Sequence, residues 1–129
     1  MILMIALFML PTCLCAESGS ISAYQGSKLY TWDGKYLSQY QGSHLYQWDG
    51  TYLTQYQGSK RFKWDGQYIS QYQGEKLLEI KGFVIKQYQG QSLFEIDGQY
   101  VRRYQGSHVL TIQGVVPLPI VALVAAGCL

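Results

Sequence analysis

Hydrophobic and polar residues alternate in short stretches along most of this chain, and a pair of residues ending in glycine closes each stretch. One such pair belongs to a Tyr-Gln-Gly triplet that recurs every sixteen residues, beginning at Tyr24, Tyr40, Tyr56, Tyr72, Tyr88 and Tyr104. A second pair, such as Asp49-Gly50, lies midway between the triplets. Alternation over six residues between turn signals predicts β-strands of ordinary length joined by tight turns.

This spacing predicts twelve strands, at 19–24, 27–32, 35–40, 43–48, 51–56, 59–64, 67–72, 75–80, 83–88, 91–96, 99–104 and 107–112. We expect the Asp-Gly pairs to form two-residue type I′ turns, which need a positive φ at both central residues. In the Gln-Gly pairs we expect the glycine to take the positive φ. The residues that flank such a turn, for example Trp48 and Thr51, would then oppose each other directly.

Side chains alternate between the two faces of a strand, so the predicted register assigns every strand residue to a face. One face holds Trp32, Trp48 and Trp64, and continues with isoleucine at the same repeat position. The other face mixes ten of the twelve tyrosines with serine, threonine and charged residues. The tryptophan face is therefore predicted to form the core.

An open sheet of twelve strands would leave two unpaired edges and a large apolar face in water. We therefore predict an all-β fold, a closed up-and-down antiparallel barrel of six sixteen-residue hairpin repeats. Twelve strands at about 4.8 Å spacing and roughly 40° tilt give a backbone diameter of about 24 Å. Inward side chains would leave a bore of roughly 12 Å, close to the diameter of an α-helix.

A candidate filling follows the predicted β domain, residues 17–114. The tail, residues 115–129, has no charged side chain, and its two prolines argue against a central strand. It is shorter than the roughly twenty residues that cross a bilayer as a helix. We expect this apolar segment to fill the centre of the barrel, with a membrane-inserting tail and a GPI-type processing signal as alternatives.

The first residues differ from the repeats. Residues 1–16 contain an apolar run followed by small residues, which is typical of a secretory signal peptide cleaved after Ala16. The prediction is an extracytoplasmic protein, secreted or associated with a membrane or cell envelope. The alternatives are an uncleaved anchor, a core-filling helix or lipidation at Cys13. Cleavage would leave Cys128 as a single cysteine, which we expect to be a small buried apolar residue.

The hairpin unit YQG…WDG.Y, over residues 19–112, resembles the β-flower group of shallow, symmetric barrels built from repeated hairpin petals. That resemblance implies the same closed barrel but no particular activity. The expected architecture is also similar to the Tubby-type C-terminal domain, a twelve-stranded barrel around an apolar C-terminal helix that binds phosphoinositides. This second likeness lies in architecture alone, which is a weak guide to function.

No residue set has the pattern of a catalytic site, so the sequence predicts neither an enzyme nor a cofactor. His44 and His108 occupy a repeat position where Lys28, Lys60 and Lys76 stand in sister repeats. A position that exchanges histidine with lysine suits neither a metal ligand nor a general base. Single aspartates spread over separate turns cannot surround a calcium ion. A net charge of +2 gives no electrostatic case for nucleic acid.

Two surfaces are candidate binding sites. The predicted register places cations on the core face beside the Gln-Gly turns, as a ring around one mouth: Lys28, His44, Lys60, Lys76, Arg103 and His108. Such a ring suits an anionic headgroup, or merely marks where the core ends. Tyrosines of the opposite face form a second surface: Tyr36, Tyr40, Tyr52, Tyr56, Tyr68 and Tyr72. They either stabilise neighbouring strands or offer a platform to sugars or a membrane interface.

The leading hypothesis is a non-enzymatic protein that associates with anionic lipid through its apolar termini and basic rim. A glycan-binding or adhesion module that uses the tyrosine face is the first alternative. A purely structural role is the second. The sequence leaves the oligomeric state open.

Overall fold

A computed structural model describes residues 18–129 as a closed, antiparallel, up-and-down barrel followed by one helix. Each strand pairs with its neighbours in sequence, and β1 closes on β12, which confirms the predicted fold class. The predicted signal peptide and Cys13 lie outside the described residues. The elements are β1 (Gly19–Ala23), β2 (Lys28–Trp32), β3 (Tyr36–Gln39), β4 (His44–Trp48), β5 (Tyr52–Gln55), β6 (Lys60–Trp64), β7 (Tyr68–Gln71), β8 (Lys76–Lys81), β9 (Val84–Gln87), β10 (Ser92–Asp97), β11 (Tyr100–Arg103), β12 (His108–Gly114) and α1 (Leu118–Ala125).

The predicted core face points inward. One aliphatic side chain from each repeat forms a buried ring at the waist of the barrel: Ile21, Leu37, Leu53, Ile69, Ile85 and Val101. Each of the six is at most 1% exposed. Because they stand sixteen residues apart, every repeat contributes the same position to the core. The aromatic and aliphatic neighbours of this ring, such as Trp32 and Phe62, are buried with it.

Helix α1 fills the centre of this ring. Five consecutive residues, Pro119 to Leu123, are buried, and the last four belong to the same core as the barrel side chains. Successive helical residues are about 100° apart, so five in a row reach every side of the helix. The helix is therefore enclosed all round, as expected for an apolar segment that fills the barrel. No helix within residues 18–129 has both the length and the apolar character needed to cross a membrane.

The tail enters the barrel beside the repeats that carry isoleucine in place of tryptophan. Val115, Val116 and Leu118 share a small apolar pocket of about 270 Å³ with Ile96 and Ile112. Tryptophan occupies the corresponding position in the first three repeats. The isoleucine side chain is smaller than tryptophan and leaves space at this rim, and the tail passes through that space into the barrel.

The turns at this rim are not the predicted type I′ turns. Trp48 opposes Leu53 rather than Thr51, a shift of two residues that leaves the face assignment unchanged. Asp49 Oδ1 accepts the backbone N–H of Thr51 at 2.8 Å and that of Tyr52 at 2.7 Å. Only the glycine of the pair has a positive φ, 99° at Gly50. The prediction was wrong because a type I′ turn needs a positive φ at both residues of the pair. The same facing register occurs at the Lys81-Gly82 turn, where Ile80 opposes Ile85, so the aspartate cap accompanies the register without being required for it.

The Gln-Gly turns also differ from the prediction, because glutamine takes the left-handed conformation and glycine does not. The φ of Gln41 is 56°, and its five counterparts lie between 54° and 57°. Gly42 donates its N–H to the Gln39 carbonyl at 2.9 Å. A Cβ on Gly42 would stand only 3.0 Å from the Cβ of Gln39. Glycine is needed here for the close approach, and glutamine bears the strained φ.

A β-bulge lies next to each Gln-Gly turn. In the β3–β4 pair, Leu37 opposes Tyr46 but Ser38 opposes His44, so Leu45 is an extra residue. The same shift occurs in the other five pairs that flank Gln-Gly turns. Beyond a one-residue bulge the side chains exchange faces. Burying leucine is favourable and burying an unpaired cation is costly, which accounts for the direction of the exchange.

Candidate functional site

The bulges move the cations from the predicted mouth to the outer wall. His44 Nδ1 lies 2.7 Å from Ser38 Oγ, and its ring stacks on the outward Tyr36 with centroids 4.2 Å apart. The predicted core-face position is therefore wrong for the five residues that share this repeat position: Lys28, His44, Lys60, Lys76 and His108. Arg103 stays apart from them, exposed at the rim and opposite the core residue Phe94.

Side chains from the following repeat position turn towards the core instead. Leu77, Leu93 and Val109, which the predicted register placed on the tyrosine face, pack against the buried cluster. Arg61 stands at the same position in β6, and its guanidinium carbon lies 5.8 Å from the centre of the Phe62 ring. The bulges in β8 and β12 thus place an apolar residue inward and a cation outward. In β10 the outward residue is Ser92, in β2 the leucine Leu29 stays 38% exposed, and in β6 both positions carry cations.

The outward cation of one strand lies between two tyrosines of neighbouring strands, in what we term a tyrosine–cation cleft. Lys60 Nζ is 4.2 Å from the ring centre of Tyr52 and 5.6 Å from that of Tyr72. The two rings meet edge to face with centroids 5.8 Å apart. Cation–π contacts of this kind contribute about 0.5–1 kcal/mol at exposed sites.

Four clefts are complete within the described residues, and two lack at least one partner. The complete clefts are Tyr36–His44–Tyr56, Tyr52–Lys60–Tyr72, Tyr68–Lys76–Tyr88 and Tyr100–His108–Tyr24. The last one spans the closing strand pair, since Tyr24 follows β1. In one incomplete cleft, Ser20 replaces the first tyrosine, beside Lys28 and Tyr40. In the other, Val84 replaces the first tyrosine and Ser92 replaces the cation, beside Tyr104.

The structure thus joins the two predicted surfaces into one. Tyr40 contributes through Lys28, whose Nζ lies 5.5 Å from the Tyr40 ring centre. Tyr24, Tyr88 and Tyr100 lie on the same predicted tyrosine face, as repeat equivalents of Tyr40 and Tyr36, and they complete two of the clefts.

Turn aspartates lie close to the clefts and influence their electrostatics. The pKa of Asp65 is lowered by the backbone N–H groups of Tyr68 and Gln67, with help from the charges of Lys76 and Lys63. For Asp49 the largest cause is the Tyr52 N–H, and Lys60 also lowers the pKa. These carboxylates therefore remain ionised and partly balance neighbouring cations.

A pocket of about 420 Å³ lies beside Tyr72. A second pocket of about 240 Å³ shares Gln71 and Tyr72 with the first. The larger pocket is lined by Tyr52, Lys63, Asp65, Ser70, Gln71, Tyr72, Gln73, Gly74 and Lys76. The smaller one is lined by Lys60, Arg61, Phe62, Gln71 and Tyr72. Both are open clefts whose walls combine an aromatic ring with amide, hydroxyl and charged groups.

The remaining titratable residues of the described part of the chain do not form a metal centre. Among residues 18–129 no group of three or more histidine, cysteine, aspartate or glutamate side chains could hold a metal ion. Cys128 is half-buried, and burial raises the pKa of its thiol.

An ion pair lies on the outer wall near Tyr104, the tyrosine of one incomplete cleft. Arg102 pairs there with Glu95 at 3.0 Å.

Comparisons of this chain with protein-family models, with curated proteins and with solved structures find no match. The closed barrel of repeated hairpins is consistent with the β-flower architecture that the sequence resembles.

Proposed function

We propose that this protein is a non-enzymatic, extracytoplasmic binding protein of the β-flower type that holds carbohydrates in its tyrosine–cation clefts. The observation that carries the proposal is the pocket beside Tyr72. There an exposed tyrosine ring adjoins a cluster of short polar side chains on the outer wall. The tyrosine–cation contact beside it recurs in three other clefts, because it is built from the repeat.

A sugar ring has an apolar face of C–H groups and an edge of hydroxyls. Tyr72, which is 39% exposed, offers an aromatic face and a hydroxyl to such a ligand. Ser70, Gln71 and Gln73 can each donate and accept hydrogen bonds beside that face. Asp65 adds an acceptor whose lowered pKa keeps it ionised. A ligand class that combines a flat apolar face with many hydroxyls fits these groups best.

Repetition of the cleft supports the same conclusion. Open, exposed clefts of this size bind a single sugar weakly, because much of the ligand remains in water. Several equivalent clefts on one rigid barrel can engage a polysaccharide or a glycan-covered surface together. Such multivalent binding raises the overall affinity without further contacts at any one site.

Lipid association, the leading hypothesis from the sequence, has less support from the geometry. It relied on an apolar tail and a basic mouth. In the structure Ile120, Val121 and Leu123 of the tail are buried in the barrel, and the cations line the outer wall. A purely structural role, in which each cleft only joins neighbouring hairpins, remains the alternative that an experiment must exclude.

A glycan array followed by calorimetry on the best ligands tests the proposal. Tyr72→Ala should reduce affinity at least about fivefold, because one aromatic face contributes roughly 1 kcal/mol or more. Tyr104→Ala is the matched control, because Tyr104 is the repeat equivalent of Tyr72 but has Val84 and Ser92 in place of a tyrosine and a cation. The control should bind as the unaltered protein does. An array without hits, or equal losses in the two variants, would contradict carbohydrate binding in the clefts.

A further inference from the structure

We infer that the cleft around Tyr72 selects saccharides that carry carboxylate or sulfate groups. This inference rests on the proposed function and specifies its ligand class. It starts from β6, which reads KRFKW and contains Lys60, Arg61 and Lys63. At the position of Arg61 the other repeats have leucine or valine. At the position of Lys63 they have threonine, glutamine or glutamate. Positive charge is therefore concentrated at one cleft.

The four cations of this region surround Tyr72 on both sides. Lys63 and Lys76 line the larger pocket, and Lys60 and Arg61 line the smaller one. Asp65 is the single carboxylate among the residues that line these two pockets. It already accepts the backbone N–H groups of Gln67 at 2.9 Å and Tyr68 at 2.8 Å. The walls of the two pockets thus carry a clear excess of positive charge.

Aromatic rings, rather than carboxylates, hold several of these cations in place. Lys60 lies over Tyr52 and Tyr72, and Lys76 Nζ is 4.2 Å from the ring centre of Tyr68. A cation held against a ring keeps its hydrogen-bond donors available for an anion. Its ordering before the ligand arrives also lowers the entropic cost of binding.

The guanidinium of Arg61 adds a donor geometry that lysine lacks. It can donate two parallel hydrogen bonds to one carboxylate or sulfate. The His44 cleft has Leu45 and Gln47 at the corresponding positions. In the His108 cleft, Arg102 lies opposite His108 but is paired with Glu95 at 3.0 Å, and His108 lies 3.7 Å from the Asp97 carboxylate. The Tyr72 cleft therefore combines a sugar-binding aromatic with an anion-binding set of donors.

The test uses the full-length protein and pairs of saccharides that differ only in charge. Oligogalacturonate is compared with its methyl ester, and a heparin hexasaccharide with its desulfated form, by calorimetry. We expect the charged member of at least one pair to bind about tenfold more tightly or better. The preference should shrink as salt rises to about 0.15 M, where the Debye length is about 8 Å.

Variants locate the effect. Arg61→Gln and Lys60→Gln should each weaken binding of the charged saccharide about three- to tenfold and leave the neutral member unchanged. Lys86→Gln is the matched control, because Lys86 lies on the outer wall opposite Glu79 and lines neither pocket. Its affinity should equal that of the unaltered protein. Equal losses in all three variants would show general charge attraction and overturn the inference.

The outcomes separate this inference from the proposed function. Equal binding of charged and neutral partners would overturn the charge preference while leaving carbohydrate binding intact. Failure of every saccharide, on the array and in these pairs, would overturn both. Binding to vesicles with anionic headgroups in place of any saccharide would also overturn both, and would assign the cations to a lipid surface.

Discussion

Removal of the C-terminal helix should unfold the barrel. Truncation after Gln113 deletes Ile120, Val121 and Leu123, which are 0%, 3% and 1% exposed. Each large aliphatic side chain contributes about 1.5–3 kcal/mol when fully buried, so the three together contribute about 5–9 kcal/mol. Domains of this size are stable by only about 5–15 kcal/mol in total. The deletion would also expose the buried ring that surrounds the helix, including Leu53.

A single substitution tests the same contact without deleting backbone. Leu123→Ala should lower the free energy of unfolding by about 3 kcal/mol, because the enclosed site cannot collapse around the missing atoms. Leu129→Ala, at a half-buried position, is the control and should cost less than about 1 kcal/mol. Urea titration followed by tryptophan fluorescence measures both, since Trp32 is 4% exposed. A truncated protein that still unfolds cooperatively at the original midpoint would refute the central position of the helix.

Three further predictions concern the turns and clefts. The lowered pKa of Asp49 means that its stabilising effect is fully present above the ordinary pKa of 3.8 and is lost as the pH falls through the lower folded-state value. The urea midpoint should therefore drop below about pH 4, and Asp49→Asn should flatten that drop. Gln57→Gly should raise the melting temperature, since glutamine at φ 55° costs about 1 kcal/mol. Gly58→Ala should lower it, because the added Cβ would lie 3.2 Å from the Cβ of Gln55. Val84→Tyr combined with Ser92→Lys should complete an unfinished cleft and add about 0.5–1 kcal/mol of stability in urea titration, and a neutral result would show that the clefts do not join the hairpins.

The repeat made the architecture predictable. Two turn signals in every sixteen residues define the strands, and the alternation of Trp48, Tyr46 and Leu53 with polar residues defines the inner face. Closure followed from the cost of open edges, and the apolar tail was the natural filling for the bore. These inferences hold because the same pattern occurs six times, so an ambiguous residue in one repeat can be assigned from the equivalent residues of the other five.

The candidate site was less predictable, because one bulge per Gln-Gly turn determines it. Simple alternation put His44 on the core face and Leu45 outside, which reverses the preference of both side chains for water. Five cations facing the interior beside the same turn were the signal that the register changes there. The facing register at the other rim was also missed, and it is the same at Lys81-Gly82 as at Asp49-Gly50, so the identity of the residue before the glycine does not determine it.

The central helix also limits how many copies of the repeat the gene can carry. A seventh hairpin would keep all strands paired and would widen the backbone diameter from about 24 Å to about 28 Å. One helix would then leave a gap of about 2 Å on every side, wide enough to forfeit its dispersion contacts. Loss of one hairpin would narrow the bore and expel the helix. Gain or loss of one repeat should therefore yield an unstable protein unless the tail changes at the same time.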